Sequence, residues 1–160
     1  MFHEFDGSNA IGKVGEEVLD SLFQKFYTIE PVTRDKDWRG IDRMYKPKDG
    51  RPSFGVQYKT DMRCGTTGNL FIEDVSNDTS GRKGCTHTCE ARLLMYYALP
   101  LATIFVFDTD VLRRMLPEWK SRHGTKPAVN AHYRTLGVCV PICEAAGHAF
   151  ISFKLKAEPQ

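Results

Sequence analysis

The stretch Gly40-Ile41-Asp42, followed after a connection by Phe54-Gly55-Val56-Gln57-Tyr58-Lys59-Thr60-Asp61, decides how this chain is read. Between the two lies Lys46-Pro47-Lys48-Asp49-Gly50-Arg51-Pro52, dense in turn-forming residues, so the flanking runs are expected to be adjacent antiparallel strands. Side chains alternate faces along a strand, so Phe54, Val56 and Tyr58 point to a core while Gln57 and Lys59 share the opposite face. Asp42 on the neighbouring strand is within reach of that second face. A carboxylate, an amide oxygen and an ammonium gathered at the end of a hairpin suit Mg²⁺ held by oxygen ligands, with a cation beside the attacking water.

Asp, a turn, then Gln-x-Lys resembles the PD-(D/E)XK nuclease superfamily, and within it the variant with Gln in place of the acidic residue, as in Mrr-type restriction nucleases. The resemblance implies an α/β, restriction-endonuclease-like fold with an α-β-β-β-α-β core and a mixed central sheet flanked by helices. It implies a metal-dependent nuclease hydrolysing phosphodiester bonds of DNA, with Mg²⁺ as cofactor and Mn²⁺ as substitute. By the same resemblance Asp42, Gln57 and the peptide carbonyl of Tyr58 would hold the metal. Lys59 would orient or help deprotonate the water and offset developing phosphate charge. Gln in place of an acid removes one negative charge, so another carboxylate is expected to compensate.

The candidate lies upstream. Gly12-Lys13-Val14-Gly15-Glu16-Glu17 opens a segment in which Val14, Val18, Leu19, Leu22, Phe23 and Phe26 recur at helical spacing, which predicts an amphipathic helix over 10–26, capped at Ser8-Asn9. Gly-x-x-Gly-Glu resembles the first helix of the superfamily, whose Glu projects toward the metal, so Glu16 is the candidate and Glu17 the alternative. Acidic residues in a first turn are also favoured by the helix dipole alone.

Strands are expected over 27–32, 40–45 and 54–59, then a flexible Gly/Thr connector and a short strand over 69–73. Gln-x-Lys-x-Asp, the connector, and Gly68-Asn69-Leu70-Phe71-Ile72-Glu73 resemble phage and prophage nucleases of the superfamily. Those relatives place Lys-Gly or Ser-Gly before a Thr-containing helix start, here Gly81-Arg82-Lys83-Gly84 with Thr86 and Thr88. They carry Asp in the early helix where this chain has Glu90. The rest reads as a helix over 89–99, a buried strand over 101–107, a short helix over 111–116, a basic loop over 119–126, and late strands over 137–143 and 149–155.

At 160 residues, 41% hydrophobic and 26% charged, the chain is expected to be a single domain, 1–160, with one real core. A net charge of +2 is compatible with nucleic acid without demanding it. No apolar run approaches the roughly 20 residues of a membrane helix, and no signal peptide is expected at the N-terminus, so the expected location is cytoplasmic, in a bacterial host cell. Five cysteines read as reduced thiols. Cys85 with Cys89 and Cys139 with Cys143 form two C-x-x-x-C pairs that would make either a structural zinc site or ordinary buried packing.

Lys13, Arg43, Arg63 and Lys83 flank the expected site and are the candidate nucleic-acid contacts, with a Gly-rich loop between Arg63 and Lys83 able to move onto substrate. DNA is the expected partner and a homodimer is possible. The other readings are a non-catalytic nucleic-acid-binding module on the same fold and a zinc-stabilised binding protein. The sequence leaves open DNA against RNA, duplex against branched substrate, and endonuclease against exonuclease.

Overall fold

A computed structural model describes residues 3–156, the side chains of 3–9 and of Trp38 excepted. The first helix, α1 (His3–Phe23), carries Val18, Leu19, Leu22 and Phe23 on the stripe that meets the sheet. It begins before the expected cap, so Ser8 and Asn9 fall inside it, and their side chains lie outside the described residues. Strand β1 (Tyr27–Pro31) follows, then a short helix α2 (Arg34–Trp38) between the first two expected strands. The expected hairpin is formed by β2 (Arg43–Pro47) and β3 (Phe54–Asp61), paired antiparallel with Arg43 opposite Val56. Strand β2 starts three residues late because Gly40, at φ +70°, bends the chain into the sheet. Asp42 nonetheless docks there, its N–H donating to the Val56 carbonyl at 2.9 Å.

Beyond β3 come a helical turn α3 (Cys64–Thr67), β4 (Asn69–Asn77), β5 (Arg82–Lys83), a second turn α4 (Cys85–Thr88), β6 (Leu93–Ala98) and β7 (Thr103–Asp108). Helix α5 (Thr109–His123), β8 (Lys126–Val129), β9 (Arg134–Pro141), α6 (Ile142–Ala146) and β10 (Ile151–Lys154) complete the chain. The central sheet is six-stranded and mixed, in the order β1-β2-β3-β6-β7-β10, with β3 and β6 parallel and the other neighbours antiparallel. A second sheet runs β5-β4-β9-β8.

Three sequence expectations are corrected. Residues 89–99 are not a helix: 93–98 of that run are strand β6, buried almost throughout between β3 and β7. Its apolar positions match a helical stripe, but Met95 and Tyr96 fill the gaps, as expected of a strand covered on both faces. The helix of the expected α-β-β-β-α-β order is reduced to the single turn α4. The connector expected after Arg63 is the helical turn α3, and the short strand expected over 69–73 is present and extends to Asn77 as β4, which leaves little of the Gly-rich loop. Asp61 Oδ1 ties down the start of α3 by accepting from the N–H groups of Arg63 and Cys64 at 2.6 and 3.0 Å. Of the basic loop expected over 119–126, residues 119–123 are the last turn of α5 and Lys126 opens β8; Leu112, Leu116 and Trp119 recur at helical spacing and are buried, so Trp119 is a core residue.

The central sheet buries a different core on each face. On one, α1 covers Tyr45, Val56, Tyr58, Met95, Tyr97, Ile104 and Val106. On the other, Leu94, Tyr96, Phe105 and Phe107 pack against α5 and against Leu70, Ile72, Val138 and Val140 of the second sheet. Gln57 and Lys59 alternate with Val56 and Tyr58, so they face the second sheet and not α1. That choice of face positions the site. No helix among the described residues is long and apolar enough to cross a membrane.

Candidate active site

The bend at Gly40 delivers Asp42 to the end of β2, where its carboxylate meets β3. Asp42 Oδ2 accepts from the Tyr58 N–H at 2.6 Å and from Gln57 Nε2 at 2.9 Å. Gln57 Nε2 also lies 3.3 Å from the Tyr58 carbonyl oxygen. Burial pushes the Asp42 carboxyl up to about 6 against the lowering Tyr58 N–H bond; Glu16 and Asp37 raise it further, and Arg43 opposes them. Gln57 Oε1 is buried and accepts no hydrogen bond among the described residues. Asp42, the Gln57 amide nitrogen and the Tyr58 backbone thus come together, while the Gln57 oxygen expected as a ligand lies apart from the other two oxygens.

Asp42 and Gln57 line a cleft of about 440 Å³ between the two sheets. Asp37 and Gly40 border it on the side of α2, with Cys85 and Thr88 of α4 beneath. Glu73, Ser76, Asn77, Ser80, Arg82, Lys83 and Tyr133, from β4, β5 and the β8–β9 turn, form the opposite wall. Lys59 Nζ lies 3.7 Å from Glu73 Oε2 and over the Phe71 ring. Glu73 Oε1 accepts from the Cys85 N–H at 2.9 Å, so one carboxylate anchors both the lysine and the start of α4. A larger hollow of about 530 Å³ near β1 contains Asp20, Arg43 and Lys48, but these are already paired within the protein.

Glu16 reaches Asp42 through its charge, but its carboxylate is engaged by Arg43. Its Oε2 accepts from Arg43 at 2.9 Å, and Asp20 Oδ2 accepts from the same guanidinium at 3.1 Å. The cause is alternation: Asp42 faces the cleft, so Arg43 faces α1, where the acidic residues of that helix meet it. Arg43, expected to contact nucleic acid, therefore has its guanidinium engaged by Glu16, Asp20 and the Asp42 carbonyl, and stacked near the Tyr58 ring. Tyr58 Oη donates to Asp20 at 2.8 Å and shares a 2.6 Å hydrogen bond with Tyr45, which completes a network holding α1 to the back of the strand. Glu17 and Lys13 are exposed on α1, Arg63 is exposed at α3, and Lys83 sits at the cleft wall. Glu90 pairs with Arg39 at the surface.

The cysteines do not converge. Cys85 and Cys89 lie on and just after α4, and Cys139 and Cys143 lie on β9 and α6; all are free thiols. Among the described residues, no three His, Cys, Asp or Glu side chains are grouped to hold a metal. Burial pushes the Cys85 thiol up to about 11, and Cys89 Sγ donates to the Gly40 carbonyl at 2.9 Å, so both behave as neutral packing thiols.

From sequence Glu73 reads either as an outer carboxylate of the metal site or as a rim charge on a strand; the structure puts it on the cleft wall, and its pairing with Lys59 is the part that sequence reasoning missed. Ser76, Asn77, Ser80 and Tyr133 carry no local motif and reach the cleft only through the pairing of β4 with β9.

No family model and no curated protein matches this chain. Among solved structures it is similar to a bacterial homing endonuclease, at 13% identity and a TM-score of 0.48, over 96% of this chain and 79% of that one. A likeness of that extent assigns neither substrate nor activity to this chain.

Proposed function

We propose that this protein is a metal-dependent nuclease that hydrolyses phosphodiester bonds of DNA, acting as an endonuclease through the cleft at Asp42. The observation that carries the reading is the convergence of Asp42, the Gln57 amide and the Tyr58 carbonyl beside Lys59, in a cleft bordered by Lys83. The donors suit a hard divalent cation: the Asp42 carboxylate and the Tyr58 peptide carbonyl face one another across the Gln57 amide, whose buried, unpartnered oxygen would make a third ligand on turning over. Asp42, Gln57 and Tyr58 would hold Mg²⁺ there, with Mn²⁺ as a substitute. Bound, the ion would supply an activated water and a Lewis acid for the departing oxygen.

The chain's own residues do the rest. The Tyr58 N–H fixes the Asp42 carboxylate against the sheet, so its orientation needs no rearrangement. Lys59 presents an ammonium to offset charge on the phosphoryl oxygens, and Glu73 limits where that ammonium can go. Lys83 would meet the phosphate backbone at the wall, and the exposed Arg63 and Lys13 are further candidate contacts outside the cleft. One protomer carries one such cleft, so two cuts in a duplex would call for a homodimer.

A second reading is a non-catalytic nucleic-acid-binding module. The engagement of Glu16 by Arg43 favours it, because the cation of Arg43 offsets the α1 carboxylate that would make up for the charge missing at Gln57. Labelled duplex, single-stranded and four-way-junction DNA, with RNA counterparts, separate the two readings when incubated with Mg²⁺, Mn²⁺ or EDTA. Metal-dependent cutting lost in both Asp42→Ala and Lys59→Ala supports the nuclease. Binding without cutting gives the module. Cutting that survives both substitutions puts the chemistry elsewhere.

A further inference from the structure

Gln57 has its amide turned the wrong way for a ligand. Its nitrogen lies between Asp42 Oδ2 at 2.9 Å and the Tyr58 carbonyl at 3.3 Å, the two oxygens that a cation would share. Its oxygen is buried beside Gly40 and Cys89 with no hydrogen-bond donor among the described residues: a Cβ built on Gly40 would lie 3.2 Å from Gln57 Oε1 and 3.1 Å from Cys89 Cα.

Without a cation this orientation is the favourable one. An amide N–H between two acceptor oxygens makes charge-assisted contacts, whereas Oε1 in that position would face a carboxylate oxygen and a carbonyl oxygen with no proton between them. A divalent cation reverses the balance. It draws in all three oxygens and repels the N–H dipole, and the buried end loses little, since it exchanges one unpaired atom for another.

We infer that the Gln57 amide is a cation-operated switch, which fills the site with its own N–H group when no metal is bound and turns over to offer Oε1 when one binds. The amide then competes with the metal, so entry requires displacing two hydrogen bonds to Asp42 and Tyr58. A glutamate at position 57 would hold no competing donor and would add a charge. Gln57 thereby sets a high cation threshold for this site, which is a role different from that of an ordinary ligand.

The inference rests on the cation site proposed above, and Mg²⁺ alone, without nucleic acid, tests it. In the metal-free wild type, NMR should place the Gln57 side-chain amide protons next to the Tyr58 N–H, which shares Asp42 Oδ2 with them. At saturating Mg²⁺ that proximity should vanish and be replaced by proximity to the Gly40 α-protons. By calorimetry, Gln57→Glu should bind Mg²⁺ at least about tenfold tighter than wild type. Amide protons that stay beside Tyr58 at saturation, a Gln57→Glu variant that binds no tighter, or no Mg²⁺ binding at all would each overturn the switch. An amide that turns in a protein that cuts no substrate leaves the switch standing and removes the nuclease; cutting with an amide that does not turn does the reverse.

Discussion

Two glycines one turn apart on α1 should respond to the same substitution with opposite signs. Replacing Gly with Ala in a helix normally stabilises by roughly 0.5–1 kcal/mol, because the unfolded chain loses conformational freedom. At Gly12 a new Cβ would meet nothing within 4 Å among the described residues, so Gly12→Ala should show that gain. At Gly15 the new Cβ would fall 1.8 Å from Thr60 Oγ1, 2.9 Å from Thr60 Cβ and 3.1 Å from Thr60 Cγ2. Rotating Thr60 moves the hydroxyl but not its Cβ, so α1 must lift off β3. Overpacking of this kind costs about 1–3 kcal/mol, which exceeds the propensity gain, and the net effect should be a loss of roughly 0.5–2 kcal/mol. Equilibrium urea unfolding of both variants measures the difference. Thr60→Gly should relieve the clash, so that the cycle Gly15→Ala with Thr60→Gly gives a favourable coupling. If Gly15→Ala stabilises as much as Gly12→Ala, or the cycle shows no coupling, α1 does not dock on β3 at this point and the second half of Gly-x-x-Gly has no packing role.

Three further outcomes follow from the same packing and electrostatics. In EDTA the Asp42 carboxyl rises from 3.8 to about 6 on folding, so the folded state holds the extra proton and wild-type stability should fall as pH climbs across that interval, by up to roughly 3 kcal/mol. Asp42→Asn should therefore be more stable than wild type at pH 7.5 and equal to it below pH about 4; a variant less stable at pH 7.5 would refute the burial cost. At Asp74 burial alone would raise the carboxyl, but hydrogen bonds from Lys120 and His87, with their charge, bring it below its ordinary value. Its contribution is present above the unfolded value and lost as pH falls through the folded one, so Asp74→Asn should destabilise at neutral pH, with the deficit shrinking in acid; a deficit independent of pH would contradict the pairing. Trp119→Ala should cost about 3–5 kcal/mol in thermal or chemical unfolding, as a core residue does, and a stable variant that only binds DNA more weakly would return Trp119 to the surface.

The hairpin and its site were legible because strand alternation and a turn-rich connection are local signals, and they fixed which face Gln57 and Lys59 share. What escaped was set by contacts distant in sequence. Leu93 to Ala98 reads as helix or strand until β3 and β7 are known to cover both faces. Pro117 ends the helical pattern on paper, yet α5 continues through it because Leu116 and Trp119 are both buried in the core. Glu16 lies at the right helical position for a metal ligand, but alternation in β2 turns Arg43 toward α1 and ties up its carboxylate. Glu73 reaches Lys59 only because β4 leaves the first sheet and pairs with β9, a partner more than sixty residues later. The second sheet, which supplies half of the cleft, has no signature short enough to read in one window.

The central claim is that a divalent cation sits between Asp42, Gln57 and Tyr58, next to Lys59. Fe²⁺ in place of Mg²⁺, with ascorbate and peroxide, generates radicals that cut the polypeptide beside the bound ion. Mass spectrometry of the fragments should find the cuts clustered at residues 40–42 and 57–58, suppressed by excess Mg²⁺ and absent in Asp42→Ala. Cuts concentrated around Asp74 and His87, or cuts at Asp42 that Mg²⁺ does not suppress, would contradict the claim.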